Sequence, residues 1–131
     1  MRQESLSGSV KTIFINRDEL LGRLSAIAKR IHRAHPEVVS VRVFGSIARG
    51  DQTGTSDADV MIVLRGARPI DPLAQIRLFQ SYFDLPIGVD VLVFPEGEVT
   101  RRIQAGDGFM TQIWNESVPL ENVQTFERSS G

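Results

Sequence analysis

The chain has 131 residues, 41% of them hydrophobic and 24% charged, the length and composition of a single globular domain. Lys+Arg 15 against Asp+Glu 16 leaves a formal net charge of −1, which lacks the electrostatic footprint of a general nucleic-acid binder. Cysteine is absent, which excludes a disulfide framework, a thiolate metal site and a cysteine nucleophile. No apolar run approaches the ~18 residues of a membrane span, and the N-terminus has no apolar signal core, so a cytoplasmic protein without membrane association is expected.

Residues 1–15 begin polar and Gly/Ser-containing and are expected as a flexible arm, with apolar residues from Val10 to Ile15. Asn16 is a helix start: as N-cap with Glu19 at the third helical position it forms a capping-box pattern, and Ile15 is placed to staple onto Leu20. Leu20, Leu24, Ile27 and Ile31 follow at helical spacing, basic residues suit the end of the helix, and Pro36 stops it, which predicts a helix over 17–34. Val39, Val41 and Val43 alternate with Ser40 and Arg42 as a first strand. A helical turn is expected from Gly45-Ser46 to Arg49, a polar loop over 50–56 and a second strand over 58–64. Asp71-Pro72 caps a helix carrying Leu73, Ile76, Phe79 and Phe83. The β-branched run 89–94, bounded by Gly88 and Pro95, is a third strand. Two weaker helical segments follow near 98–105 and 107–115. The domain is expected over 16–120, with a frayed, flexible tail over 121–131.

Strands interleaved with helices define an α/β (α+β) domain with a small mixed sheet of three or slightly more strands. The helix between strands two and three allows them to run parallel. An antiparallel first strand then brings Gly45-Ser46 to the same end of the sheet as Asp57, Asp59 and Asp90.

Residues i and i+2 of a strand share a face, so Asp57 and Asp59 stand side by side with Met61 and Val63 beyond them. Neighbouring carboxylates on an otherwise apolar strand resist desolvation and call for a cation; oxygen-only ligands favour a hard ion such as Mg²⁺. Asp90 interrupts a strand of buried type and needs either that same cation or an ion pair with Arg42 or Arg65. Gly45 lets the backbone approach phosphate oxygens, Ser46 adds a hydroxyl, and the following turn aims N–H groups at an anion. Asp57, Asp59 and Asp90 can together hold two Mg²⁺ ions about 3.5–4 Å apart, with Asp90 as proton acceptor for an attacking hydroxyl. That is the equipment for nucleotidyl transfer from a triphosphate. Arg49 either binds phosphate or pairs with Asp51 or a backbone carbonyl. His32 and His35 read as helix-terminal or surface residues, Trp114 as core, and Arg65, Arg68, Arg101 and Arg102 as solvated charge.

Phe44-Gly45-Ser46, ten residues (47–56), Asp57-Ala58-Asp59 and then Val89-Asp90-Val91 resemble the minimal nucleotidyltransferase family of the DNA polymerase β-like superfamily. Arg49-Gly50 and Ser56 match the GSxARG…SDxD form of its minimal members, and Ile103, Gly106, Phe109, Ile113 and the VPL near 119 resemble the closing helix and strand. Ala58 is smaller than the residue usual between the two acids, and Leu120 precedes Glu121 where the family has Leu-Tyr. The resemblance implies a polymerase β-like nucleotidyltransferase fold, catalytic and metal-holding roles for Asp57, Asp59 and Asp90, and nucleotide contacts at Gly45, Ser46, Arg49 and Ser56. It also implies ATP as substrate and a partner that supplies the acceptor. Minimal members resembling this chain are commonly antitoxins paired with a helical HEPN toxin, to whose tyrosine they transfer AMP. Two further readings stay open: a non-catalytic antitoxin that neutralises by contact, and transfer to a small hydroxylated compound.

Overall fold

The Asn16 side chain opens α1 (Arg17–Ala34) by accepting the Glu19 amide at 2.7 Å. Half of the expected capping box forms, because the Glu19 carboxylate instead pairs with Arg23 one turn on, at 3.2 Å. Leu20, Leu24, Ile27 and Ile31 are buried along one face, and the helix is capped at His35, ahead of Pro36. The computed structural model describes residues 16–50, 57–67 and 70–123. The expected arm over 1–15, the Ile15 staple, Arg68 and residues 124–131 of the expected tail lie outside them.

After α1 come β1 (Val38–Phe44), α2 (Gly45–Arg49), β2 (Ala58–Leu64), α3 (Pro72–Gln80), β3 (Val89–Pro95), α4 (Glu96–Gln104), α5 (Gly108–Glu116), β4 (Val118–Pro119) and a 3₁₀ turn at Leu120–Asn122. Asp71 caps α3 by accepting the Ala74 amide at 3.1 Å, with Pro72 at the first helical position. Asp107 caps α5 in the same way through the Met110 amide at 2.9 Å, and that bond with the Arg102 guanidinium holds its carboxyl below the usual range.

The four described strands form one sheet in the order β3-β2-β1-β4. β2 runs parallel to β3 and antiparallel to β1, and β1 is antiparallel to β4. This is the arrangement expected from the helical crossover at α3 and the short link after α2. Period-two alternation divides the sheet between two cores. Val41, Val43, Val60, Ile62, Val91 and Val93 pack with α1, Phe79 and Phe83 on one face. Phe44, Met61 and Val63 pack with Val99, Met110 and Ile113 of α4 and α5 on the other. β2 is apolar on both faces because it lies inside the sheet with helices on either side.

The described fold continues three residues past the expected boundary at Leu120. β4 is only two residues long and leaves the Val41 N–H on the outer edge of β1 without a strand partner. Glu121 satisfies it with a carboxylate oxygen at 2.7 Å, and the same carboxylate accepts from Ser40 Oγ at 3.2 Å and lies 2.6 Å from His32 Nε2. Buried Ser25 on α1 reaches the Leu120 and Val123 carbonyls at 3.0 and 2.9 Å. These hydrogen bonds tie residues 120–123 to α1 and β1, and His32 takes part in them. Among the described residues no helix is long and apolar enough to cross a membrane.

Candidate active site

Asp59 occupies the centre of the site by register. Its neighbour on β1 is Phe44, the last residue before Gly45, and its neighbour on β3 is Asp90. Asp57 stands just before β2, on the face shared by Asp59, Met61 and Val63, and the adjacent Ala58 amide donates to the Gly88 carbonyl at 2.9 Å. The three acids therefore gather at one end of two parallel strands, on the α4–α5 face. Asp59 is half-buried, while Asp57 and Asp90 are exposed.

Two glycines make room for these carboxylates. Gly45 has φ +75°, in the left-handed region, and a Cβ there would overlap Asp59 Oδ2. A Cβ on Gly88 would lie 2.8 Å from Asp57 Oδ1. Gly45 was expected to admit phosphate; here it admits an aspartate. In the sequence Gly88 marks a strand boundary; in the fold it also makes room for Asp57.

α2 is held from both ends. Arg17 of α1 donates through Nε to the Ile47 carbonyl at 2.7 Å and through Nη2 to the Ala48 carbonyl at 3.1 Å, satisfying groups that a short helix leaves open. At the other end the Gly45 N–H donates to Glu116 Oε2 at 2.7 Å, and Arg49 Nη1 donates to Glu116 Oε1 at 3.2 Å. Arg49 thus has a carboxylate partner in Glu116; Asp51, one of the alternatives weighed for it, lies outside the described residues, as does Ser56. Ser46 is half-buried in the first turn of α2, two residues after Phe44.

The Asp59 carboxyl is raised above the ordinary aspartate value, first by burial and then by the charges of Asp90, Asp57 and Glu116, with Arg49 opposing. Glu116 is a fourth acid of the site, absent from the sequence reading. A signal for it existed: a glutamate in the last turn of a helix opposes the macrodipole, so its partner must lie elsewhere.

Neither arginine considered for Asp90 reaches it. Arg42 donates to Ser117 Oγ at 2.7 Å and lies 3.9 Å over the Trp114 ring, its guanidinium brought below the usual value by burial. Arg65 donates to the Pro36 carbonyl at 2.9 Å. Trp114 is half-buried against the second core as well as stacked by Arg42. Arg102, expected as solvated charge, is bound by Asp107 at 2.9 Å and Glu98 at 3.3 Å, and the hydrogen bond to Asp107 above all raises its pKa.

The donor set suits a hard divalent cation: carboxylate oxygens only, on one face, with two backbone positions stripped of side chains to accommodate them. Among the described residues no group of three or more His, Asp or Glu side chains is arranged so that it could hold a metal ion. A cavity of about 310 Å³ lined by Val39, Val63, Val99, Ile103 and Trp114 opens at the opposite end of the sheet from the acids and is not part of this site.

A mixed four-stranded sheet between two helical layers, with acids at the starts of its parallel strands and a Gly-Ser turn after the antiparallel one, defines a nucleotidyltransferase-type α+β domain. The family model described as nucleotidyltransferase domain matches residues 24–118, and the chain belongs to that family. A Sulfolobus solfataricus protein named as a candidate nucleotidyltransferase, with a crystal structure at 1.40 Å, is similar at 27% identity and a TM-score of 0.56, over 71% of this chain and 79% of that chain. Comparison with curated proteins finds no match.

Proposed function

We propose that this chain is an Mg²⁺-dependent nucleotidyltransferase that moves AMP from ATP to a tyrosine hydroxyl of a HEPN-type toxin, and so serves as that toxin's antitoxin in the cytoplasm. Family membership supports nucleotidyl transfer. The observation that carries the catalytic reading is the register placing Asp59 between Phe44-Gly45 and Asp90. The nucleotide, acceptor and partner rest on the resemblance of residues 44–59 and 89–91 to minimal members of the superfamily.

In this reading Ser46 and the first turn of α2 hold the triphosphate, and Arg49 places positive charge beside it. Asp57, Asp59 and Asp90 would hold Mg²⁺, two ions by analogy with two-metal sites, which when bound supplies Lewis-acid stabilisation of charge on the phosphate. The acceptor oxygen forms a bond to the α-phosphorus, the bond from that phosphorus to the bridging oxygen breaks, and pyrophosphate leaves. The hydroxyl proton passes to the Asp90 carboxylate, which is exposed and free to approach an acceptor.

A second reading, neutralisation by contact alone, draws support from apolar surface: Leu73 and Leu78 on α3 and Phe109 on α5 are exposed. One experiment separates the two. A sub-stoichiometric amount of this chain, with ATP and Mg²⁺, is incubated with a HEPN toxin encoded beside it, followed by intact-mass spectrometry and a toxin assay. Turnover silences a molar excess of toxin, with the mass gain of one or more AMP groups, and Asp57→Asn and Asp90→Asn abolish the gain. Neutralisation only at equimolar ratio, with no mass change, overturns the enzymatic reading.

A further inference from the structure

We infer that two copies of this chain pair antiparallel through the outer edge of β3, about a two-fold axis at Leu92, and so join their sheets into one. Among the described residues no strand lies beyond β3, and an open edge is a row of backbone donors and acceptors. The Ala58 amide donates to the Gly88 carbonyl, so in the parallel ladder Gly88, Asp90, Leu92 and Phe94 turn their backbone groups toward β2. Val89, Val91, Val93 and Pro95 turn theirs outward. The Gln80 side chain of α3 agrees with this alternation, since its amide donates to the Val89 carbonyl.

The two ends of the edge select a second copy and its register, because a two-fold axis requires a self-complementary surface. Centred on Leu92, Val91 of one copy faces Val93 of the other, and each N–H meets a carbonyl. Val89 then faces Pro95. The proline has no N–H to give, the Val89 carbonyl needs none because Gln80 holds it, and the Val89 N–H meets the Pro95 carbonyl. A shift of one step either way fails. Centred on Val91, the Val93 N–H meets the carbonyl that Gln80 already holds; centred on Val93, the Val91 carbonyl meets the bare nitrogen of Pro95. Leu73 lies two turns before Gln80 and shares its face of α3, above the same edge, yet it is 63% exposed. In the paired arrangement α3 of each copy lies beside α3 of the other, which covers it. The same register sets the second copy's Phe94 opposite Asp90, so each copy borders the acids of the other. This association is independent of what those acids catalyse.

Analytical ultracentrifugation of the full chain over a concentration series, with thermal melting of each variant, tests the pairing. The expected species has twice the 14.6 kDa chain mass. Leu73→Glu charges an exposed position away from the acids; it is expected to keep the fold and to raise the dimer dissociation constant about tenfold or more. The chain has no cysteine, so a single introduced one reports the register. The two copies of Leu92 face each other as a non-hydrogen-bonded pair with Cα atoms about 4.5 Å apart, within reach of a disulfide. Oxidised Leu92→Cys is therefore expected to run as a covalent dimer. Phe94→Cys, whose two copies stand about 13 Å apart, stays uncrosslinked. A chain monomeric at every concentration overturns the inference and leaves the edge to a strand of another protein. Dimers that survive Leu73→Glu and do not cross-link through Leu92→Cys form by another face and overturn it equally. Where the two variants disagree the cross-link decides, because it reads the register directly; if the cysteine variant does not fold, Leu73→Glu decides alone.

Discussion

The space that a side chain on Gly45 would fill is taken by the Asp59 carboxylate: a Cβ built on the glycine overlaps Oδ2, at a backbone φ of +75°. The turn after β1 and the acid on β2 are therefore one feature. Gly45→Ala meets two penalties, a left-handed conformation costing a residue with Cβ roughly 1–2 kcal/mol and a contact that Asp59 or α2 must move to relieve. We expect a loss of about 2 kcal/mol or more in urea unfolding, together with loss of Mg²⁺-ATP binding. A variant as stable as wild type would show that the close approach is not retained in solution.

Gly88 offers the complementary case. Its φ is not in the left-handed region, so alanine is acceptable to the backbone, but the added carbon lies 2.8 Å from Asp57 Oδ1, the exposed end of a side chain that can swing away. Gly88→Ala is expected to change stability by no more than about 0.5 kcal/mol, the usual range for surface positions, while weakening Mg²⁺-dependent nucleotide binding by displacing Asp57. Melting and calorimetry on one preparation distinguish this from a general defect.

Asp59 also sets a pH dependence in the metal-free protein. Its folded-state carboxyl lies above the unfolded value, so between the two values the native state holds more protons than the unfolded one. The associated stability is full below the unfolded value of about 3.9 and is lost as pH rises through the folded value. Asp59→Asn removes the charge that burial and the neighbouring acids disfavour. In chelator at pH 7 the variant should melt at or above the wild-type temperature, and the gap should narrow as the pH approaches 4. An Asn variant clearly less stable at pH 7 would mean that Asp59 is held by an ion pair.

Four acids, Asp57, Asp59, Asp90 and Glu116, face the position proposed for the triphosphate, and like charges at close range repel it. ATP affinity should therefore be at least about tenfold higher with Mg²⁺ than with chelator, a difference of about 1.4 kcal/mol. Calorimetric titration in the two buffers measures it directly. Equal affinities would remove the metal from the account.

Much of this protein is written locally. Asn16 and Asp71 cap their helices, and the alternation of Asp57, Asp59, Met61 and Val63 along one strand face depends on a period of two that neighbouring residues reveal by themselves. The helix between β2 and β3 made a parallel pair the natural reading, and with it the convergence of Asp59 and Asp90. The tertiary structure decided which side chains answer one another across the chain. Glu116 reaches Gly45 over 71 positions, Arg17 closes α2 over 30, and Glu121 reaches the edge of β1 over 80. Such partners carry no periodic signal, because a hydrogen bond depends on where the packed helices place two ends in space. Glu19 turned from its expected cap to Arg23, and Arg42 from Asp90 to Trp114 and Ser117, for the same reason. Local patterning determined the elements and aligned the three aspartates; only packing brought Glu116 beside them and determined which groups hold α2 in place.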